Sequence, residues 1–384
     1  MQHEVTATFQ ALSRIPRATI VHHVDTEGAV YLTHGRKILK VADGVRSYLG
    51  CFPRIFPRDL FNFSRLSQRA ARSDKCNVYM NGHGQLMGIR GEAVYAVRSG
   101  KFHKLQSIQG DCVLHDGFAE DDEGWTYFGE YFRNPERGPV RIWRVDPGLQ
   151  TCEVAHEFPS GDIRHVHGVF RDPYDSGAMW VSVGDLRDEC YLLRTDDRFQ
   201  SLQRFGEGTQ TWRAVKLFFT PTHVTWITDS NLEQNHACRM DRLTGNLEVG
   251  QEIDCSGWYG FQTETGEFVA GTTVEVGPGI HSDYSSLLVS NDGFHWHVAH
   301  RFRKDIFRPM RVFKYGVINF PSGKLSLDDF YLSGEGLSSL DGKVIRATVR
   351  MSQEHAHTLE CDSGSDLSMA GTEHDTRSSL RRAG

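Results

Sequence analysis

Two histidines separated by one residue, His165 and His167, are the first feature of this 384-residue chain whose type and spacing suit chemistry. On an extended strand, residues i and i+2 point to the same face, so both imidazoles would project together. Such a pair can hold a metal, or one ring can remove a proton while the other neutralises charge. Arg164 adjoins the pair. The alternative is a half-buried strand in which neighbouring backbone groups satisfy both rings.

Four carboxylates recur at the ends of similar apolar runs: WTYFGE ends at Glu130, MWVSVGD at Asp185, VTWITD at Asp229 and VAGTTVE at Glu275. Carboxylates placed together can transfer protons or bind a ligand. They can equally end strands, cap turns or pair with arginines, and repetition alone would preserve that role. Asp185 and Glu275 are the more accessible to a ligand by their surroundings, whereas Asp229 in TDSN also fits an Asx turn.

Arginine and aromatic side chains open other apolar runs. A guanidinium matches a carboxylate through two hydrogen bonds, so the arginines are candidates for holding an anionic group, with ion pairing as their alternative role. A tyrosine can transfer a proton or stack on a sugar ring. The candidate catalytic residues are His115, Tyr131, His165, His167 and Tyr259, and the candidate substrate-binding residues are Arg164, Asp185, Arg213, Asp229, His236, Trp258, Glu275 and Arg311.

No spacing in the sequence fixes a set of metal ligands. We therefore assign no metal and require no cofactor. A divalent metal at the histidine pair, with His115 or His236 as third ligand, is the alternative.

These residues are brought together by a repeat of about 50 residues. Four stretches, starting near Cys112, Ile163, Thr211 and Trp258, repeat the same order of short strands and turns. Four strands per repeat at this period are typical of a β-propeller, in which equivalent positions converge on one axis. The candidate residues should therefore line a single polar funnel.

The sequence predicts an all-β chain with one β-propeller domain over residues 17–351. Seven four-stranded blades are preferred, and six would result if the weak first and seventh units merge. Residues 1–16 form an N-terminal segment, and the polar, aperiodic residues 352–384 are expected to be disordered. One short helical insertion is predicted at about residues 61–74, with Ser64 as its cap. The last strand, VIRATVR, is expected to pair with N-terminal residues and close the ring.

Composition limits the classes of binding partner and the cellular compartment that we expect. The net charge of −6 is spread without a basic block, which argues against a nucleic-acid partner. No run of 18 apolar residues exists, so we expect no membrane partner, and the N-terminus lacks an apolar signal core. The eight cysteines have no metal-binding spacing and are expected to be reduced. These features favour the cytoplasm and leave the oligomeric state open.

Two turns resemble the Asp-box of sialidase-like, BNR-repeat propellers. SNDGFHW (290–296) is a shortened form of S-x-D-x-G-x-x-W, and TDDRFQS (195–201) is a degraded copy. The resemblance implies a structural turn between the two outer strands of a blade. Arg14-Ile15-Pro16 is similar to the RIP motif of sialidases, which would make Arg14, Arg213 and Arg311 an arginine triad. His34 stands where those enzymes carry an acidic residue, so the acid/base catalyst is absent.

The candidate residues also resemble, in type and placement, those of propeller polysaccharide lyases. That resemblance implies an anionic, uronate-type oligosaccharide as ligand, cleaved by β-elimination. In such a reaction an arginine neutralises the carboxylate, and histidine or tyrosine moves the protons. The alternatives are a sialidase-like glycoside hydrolase and a non-enzymatic sugar-binding or scaffold propeller, because one fold hosts many functions.

Overall fold

Seven sheets surround one axis in the computed structural model, which describes residues 5–353. Each has four antiparallel strands, and one has in addition a fifth, short strand that pairs in parallel. The prediction of an all-β propeller with seven blades is confirmed. Each blade begins at the axis and meanders outward, so successive strands pair with their neighbours in sequence. The seventh blade is the exception, since its outermost strand comes from the start of the chain.

The strands follow in chain order. Blades one to three contain β2 (Ile20–Val24), β3 (Val30–His34), β4 (Lys37–Ala42) and β5 (Val45–Cys51); β6 (Asn77–Met80), β7 (Leu86–Ile89), β8 (Ala93–Arg98) and β9 (Lys101–Ser107); and β10 (Phe118–Glu120), β11 (Thr126–Gly129), β12 (Val140–Val145) and β13 (Cys152–Phe158). Blades four and five contain β14 (Val166–Arg171), β15 (Met179–Val183), β16 (Cys190–Thr195) and β17 (Gln203–Gly208); and β18 (Phe218–Phe219), β19 (His223–Ile227), β20 (Asn235–Asp241) and β21 (Leu247–Ile253). Blade six contains β22 (Ser256–Gln262), β23 (Phe268–Thr273), β24 (Tyr284–Ser290) and β25 (His297–Arg303).

The seventh blade joins the two ends of the described chain. Its strands are β26 (Val317–Asn319), β28 (Phe330–Glu335), β29 (Val344–Gln353) and β1 (Val5–Ile15), while the short β27 (Ser322–Gly323) runs parallel to β2. β1 pairs with β29 from Val5 opposite Gln353 to Ile15 opposite Val344. Residues 5–15, which the sequence analysis separated from the propeller, are thus part of its last blade. The expected tail, apart from its first two residues, lies outside the described residues.

Small residues let adjacent blades approach closely. Gly129 ends β11, and a Cβ added there would lie 2.2 Å from Val166 Cγ1 at the start of β14. Apolar side chains fill the spaces between sheets; Tyr127, Val140 and Val169 belong to one such cluster. The seven cysteines within residues 5–353 are all free thiols. Among the described residues, no helix is long and apolar enough to cross a membrane.

A helical insertion separates the first two blades, as expected. It contains a 3₁₀ turn (Arg58–Phe61) and helix α1 (Arg65–Ala71), and Ser64 caps α1 by accepting a hydrogen bond from the Ser67 amide. Buried ion pairs tie the insertion to the ring. Arg69 lies 2.5 Å from Asp305, which belongs to the connection between blades six and seven. That connection also contains the short helix α2 (Met310–Phe313).

The two Asp-box-like turns join the third and fourth strands of their blades. In SNDGFHW, one Asp292 oxygen accepts hydrogen bonds from the Phe294 and His295 amides, at 2.9 and 2.8 Å. Trp296 is buried and its ring lies 5.5 Å from that of Phe218 in blade five. The turn is therefore stabilised by its own backbone, and its tryptophan packs between blades.

Candidate functional site

Three adjoining cavities occupy the end of the axis at which the first strands begin. Their volumes are about 680, 340 and 250 Å³, and Tyr131 contributes to the wall of all three. The cavities therefore form one irregular funnel, whose size is that of a small-molecule site. The funnel is strongly polar. Its walls include Arg72, Lys75, Tyr131, Arg164, His165, Asp185, Arg213, Asp229, Trp258, Glu275, Arg311, Lys314, Tyr315 and Glu335.

The two histidines of blade four face each other beside this funnel: His165 lines the 680 Å³ cavity, and His167 is buried next to it. His165 Nδ1 lies 3.2 Å from the Phe132 carbonyl oxygen, and His167 Nδ1 lies 2.8 Å from that of Ala214. A carbonyl only accepts hydrogen bonds, so both Nδ1 atoms must carry the proton. In the neutral rings the two Nε2 atoms are then unprotonated, yet they lie 3.1 Å apart. This spacing suits two nitrogen ligands of one metal ion, or a hydrogen bond between the two rings.

Asp185 completes this cluster. It follows β15, the strand paired with β14, and its Oδ1 lies 3.3 Å from His165 Nε2 and 3.4 Å from His167 Nε2. The ligand atoms of all three side chains lie within 4.8 Å of one another. Burial would raise the pKa of Asp185, but the charges of His165 and Arg213 hold it well below the usual value. The carboxylate is therefore ionised, and two imidazoles with one carboxylate match the ligand set of a transition-metal site.

Arg213 joins two of the predicted carboxylates. Its Nη2 lies 2.9 Å from Asp185 Oδ1, and its Nε lies 3.2 Å from Asp229 Oδ2. Asp229 also accepts a hydrogen bond of 2.7 Å from Trp258 Nε1. All these groups are largely buried, so their charges interact strongly. The arginine thus forms the ion pairs expected as its alternative role, and it also lines the 340 Å³ cavity.

Glu275 is a carboxylate whose pKa is raised instead of lowered. Burial raises its pKa to about 8, with a further contribution from the charge of Asp229 and opposition from Arg213. Burial also raises the pKa of Asp229, although Arg213 and His167 oppose the shift. Glu275 is therefore mostly protonated near neutral pH, while Asp185 remains charged. Neighbouring carboxyls with separated pKa values provide both an acid and a base.

Tyr131 stands between this cluster and the mouth. Its ring centroid lies 4.3 Å from that of His165, and burial together with the charges of Asp185 and Asp229 raises its pKa well above the usual value. The phenol is thus neutral. The ammonium of Lys75 lies 6.0 Å from the centre of the same ring, and Arg164 shares the surrounding cavity. A neutral proton donor therefore lies beside positive charge.

Other predicted residues occupy different places. His115 lies deeper along the axis, where its Nε2 bonds to the Phe320 carbonyl at 2.6 Å, and Tyr259 lies beside it, with ring centroids 5.7 Å apart. Tyr259 reaches the 250 Å³ cavity only. His236 is on β20, a third strand, and contributes to none of the three cavities. Neither His115 nor His236 is the third member of the histidine cluster, since Asp185 takes that position.

Three further expectations are wrong. Glu130 does not face the mouth, because it is buried and accepts hydrogen bonds from the Gln109 amide and Trp143 Nε1. Arg311 lies on α2 and lines the 340 Å³ cavity, instead of opening a strand. Arg14 lies exposed on β1, the outermost strand of its blade, so the arginine triad of sialidases does not form.

The sequence analysis missed the cations supplied by the helical insertion. Arg72 and Lys75 follow α1 and line both the 680 and the 250 Å³ cavities. The repeat gave no signal for them, since the insertion falls outside it. Tyr315 was also missed; its ring lies 6.0 Å from that of Trp258, at an interplanar angle of 89°.

Comparison with known proteins supports the fold alone. No protein-family model matches the chain, and no curated protein sequence matches it. Many solved structures share its architecture. An oligogalacturonate lyase from Vibrio parahaemolyticus is 10% identical, covers 90% of this chain and 98% of its own, and superposes with a TM-score of 0.52. An oligogalacturonate lyase in complex with manganese is 11% identical, with coverages of 91% and 98% and a TM-score of 0.50.

Unrelated propellers match equally well. The extracellular domain of a hybrid two-component system from B. thetaiotaomicron is 12% identical with a TM-score of 0.51, and it covers 88% of this chain. The chain spans about two fifths (39%) of that protein's length. A protein of the mitotic checkpoint complex is 10% identical with a TM-score of 0.54, and the coverages are 89% and 92%. At such identities the likeness establishes a propeller and leaves the chemistry to the site.

Proposed function

We propose that the funnel binds an anionic, uronate-type oligosaccharide and cleaves it by β-elimination. The observation that carries the proposal is the cluster of His165, His167 and Asp185 beside the neutral phenol of Tyr131. The positive side chains of Lys75 and Arg164 line the same cavity. Two of the structural neighbours are oligogalacturonate lyases, which agrees with a uronate ligand without establishing one.

The histidine cluster fits a divalent metal such as manganese. Its two Nε2 atoms are free of protons in the neutral rings, and Asp185 supplies a negative charge. Both Nδ1 atoms bond to backbone carbonyls, an arrangement that fixes the orientation of metal-binding imidazoles. A bound metal would neutralise a substrate carboxylate and so make the adjacent C–H bond more acidic.

The remaining groups of the funnel can move the protons. In β-elimination the C5–H and C4–O bonds of the uronate break, and a C4=C5 double bond forms. We assign removal of the C5 proton to Asp229, because burial raises its pKa and so makes the carboxylate a stronger base. Tyr131 is assigned the donation of a proton to the departing oxygen, since its raised pKa keeps it protonated. Arg164 and Lys75 would orient the carboxylate of the sugar.

The test is incubation of the protein with oligogalacturonates, with and without added Mn²⁺, while the ultraviolet absorbance of the unsaturated product is followed. Activity should fall by about 10²-fold or more in Tyr131→Phe, because this change removes only the proton donor. Tyr259→Phe is the matched control, since that phenol lies deeper and should matter little. Calorimetry with Mn²⁺ should show binding to the natural protein and none to His167→Gln. No unsaturated product from any uronate oligomer would refute the elimination.

A glycoside hydrolase is the second candidate, and the raised pKa of Glu275 favours it. A carboxyl that stays protonated near neutral pH can protonate a glycosidic oxygen, while the ionised Asp185 acts as the second carboxylate. Hydrolysis would release reducing ends from the same oligosaccharides without the ultraviolet signal. Binding without either product would leave a sugar-binding propeller.

A further inference from the structure

A group of exposed apolar side chains lies next to the funnel mouth. It comes from the insertion between blades one and two and from the connection between blades six and seven. Phe56, Phe63 and Ile306 are 83%, 79% and 86% exposed. The complete group, here called the rim patch, consists of Phe56, Leu60, Phe61, Phe63, Ile306, Phe307 and Val312.

Exposed apolar side chains are concentrated in the rim patch. Seven of the nineteen exposed large hydrophobic side chains in the described chain belong to it, although its two segments total only fifteen residues. Scattered exposed apolar residues are normal and need no explanation, whereas contiguous patches mark interaction surfaces. The rim patch therefore calls for a partner.

The two segments form one surface because helix α1 holds them together. Arg69 of α1 donates through Nε to the Phe313 carbonyl at 2.7 Å, and its guanidinium lies 5.9 Å from the ring centre of Phe307. Ser67 of the same helix donates to the Phe61 carbonyl at 2.8 Å. Both segments connect an outer strand to the next inner strand, so both lie on the face where the funnel opens.

Positive charge surrounds the rim patch. Arg54, Arg72, Arg308 and Arg311 are exposed within or beside its segments. Asp59, within one segment, pairs with Arg90, and Asp305, next to the other, pairs with Arg69. Of the four exposed arginines, Arg308 lies 3.7 Å from the exposed Asp283. A chain of net charge −6 thus presents apolar and cationic groups together at this one place.

We propose that the rim patch docks the protein onto a lipid surface that carries anionic headgroups. Protruding aromatic and aliphatic side chains can enter the headgroup region, while arginines next to them attract the negative surface. The patch is carried by turns and short helices that project its side chains, and it is not a groove that would accept a peptide. Docking of this kind requires no membrane-spanning segment. It departs from the sequence-based expectation of no membrane partner, which rested on the absence of such a segment.

The margin of the rim patch shares two arginines with the funnel. Arg72 and Arg311 belong to its cationic margin and also line the funnel cavities. Docking would therefore orient the funnel toward the lipid surface, whatever reaction occurs inside. The ligand would be one that is presented at that surface.

The experiment is co-sedimentation of the purified full chain with vesicles of phosphatidylcholine, alone or mixed with phosphatidylglycerol. We expect binding to the mixed vesicles that weakens as salt is added. Phe56→Ser combined with Ile306→Ser should lower the partition onto these vesicles at least about tenfold, because two apolar side chains are lost. Leu243→Ser is the matched control, since Leu243 is 94% exposed in the turn between β20 and β21.

Phe63→Ser combined with Phe307→Ser provides a second, independent pair of changes, and circular dichroism verifies that each variant is folded. Arg54→Gln combined with Arg308→Gln should reduce binding to the mixed vesicles only. The proposal is overturned if the natural protein does not bind mixed vesicles at low salt, or if both serine pairs bind as well as the Leu243 variant. It is also overturned if sedimentation shows a dimer that the serine changes dissociate while no vesicles are bound.

Discussion

Glu275 should make the protein less stable as the pH rises through neutrality. Its pKa is about 8 in the folded protein, against 4.5 for an ordinary glutamate, because it is buried near Asp229. The folded state therefore binds more protons than the unfolded state between these values, and stability must fall with pH over that window. The sign is opposite to that of a carboxylate stabilised by an ion pair.

The size of the effect follows from the two pKa values. Between about pH 5 and about pH 8, the titration of Glu275 lowers the free energy of unfolding by about 3.5 kcal/mol. Glu275→Gln keeps the shape of the side chain but removes the titration. The free energy of unfolding, measured in denaturant at both pH values, should decline with pH in the natural protein. In the variant this decline should be smaller by about the same amount. The variant should be the more stable protein at the higher pH.

Glu335→Gln is the control for this experiment. Burial acts to raise the pKa of Glu335, but the ion pair with Lys314 and the charge of Arg65 leave it lowered. Its loss should therefore destabilise the protein across the whole window without flattening the decline. If the stability difference between the natural protein and Glu275→Gln is the same at both pH values, Glu275 is ionised throughout, and its assignment as a carboxyl that is protonated near neutral pH is wrong.

Three other substitutions test the packing around the site. Arg213→Met leaves Asp185 and Asp229 buried without this counterion and should lower the free energy of unfolding by about 3–5 kcal/mol. Adding Asp229→Asn should recover part of this loss. Unchanged stability in Arg213→Met would contradict the buried ion pairs. Arg69→Met should release the insertion, so that proteolysis within residues 53–64 becomes faster. Arg301→Met, which loses an exposed pair with Asp254 at 3.7 Å, should not change that rate. Gly129→Ala places a Cβ against Val166 and should cost about 1–3 kcal/mol in thermal unfolding, with part of the loss restored by Val166→Ala.

The repeat was sufficient to predict the architecture and part of the site. Equivalent positions in successive repeats converge on the axis, so Asp185, Arg213, Asp229 and Glu275 were placed in the same funnel. The contact between Asp185 and the histidines also follows from a repeat. Asp185 lies two residues after Val183, the end of the strand that pairs with the one beginning at Val166. The sequence analysis did not draw this conclusion and sought the third ligand elsewhere.

Other parts of the site depend on features that a repeat does not carry. His236 belongs to a third strand and therefore lies away from the axis, although its neighbours in sequence suggested otherwise. His115 precedes its strand by more residues than His165 does, so it lies at a different depth. Arg72 and Lys75 come from an insertion whose position is set by the buried contacts of Arg69. The positions of these residues are set by three-dimensional packing, which the repeat in the sequence does not describe.

The pairing of β1 with β29 has a consequence for how the protein is made. Thr6 and Ser352, whose hydroxyls hydrogen-bond across this pair, are 346 residues apart. A ribosome adds about 5–20 residues per second, so β1 waits roughly 20–70 s for its partner. During that time its backbone is an unpaired edge, the kind of edge that favours pairing with other chains. The stage most prone to aggregation should therefore be translation itself, and slower synthesis of the last blade should lower the yield of folded protein.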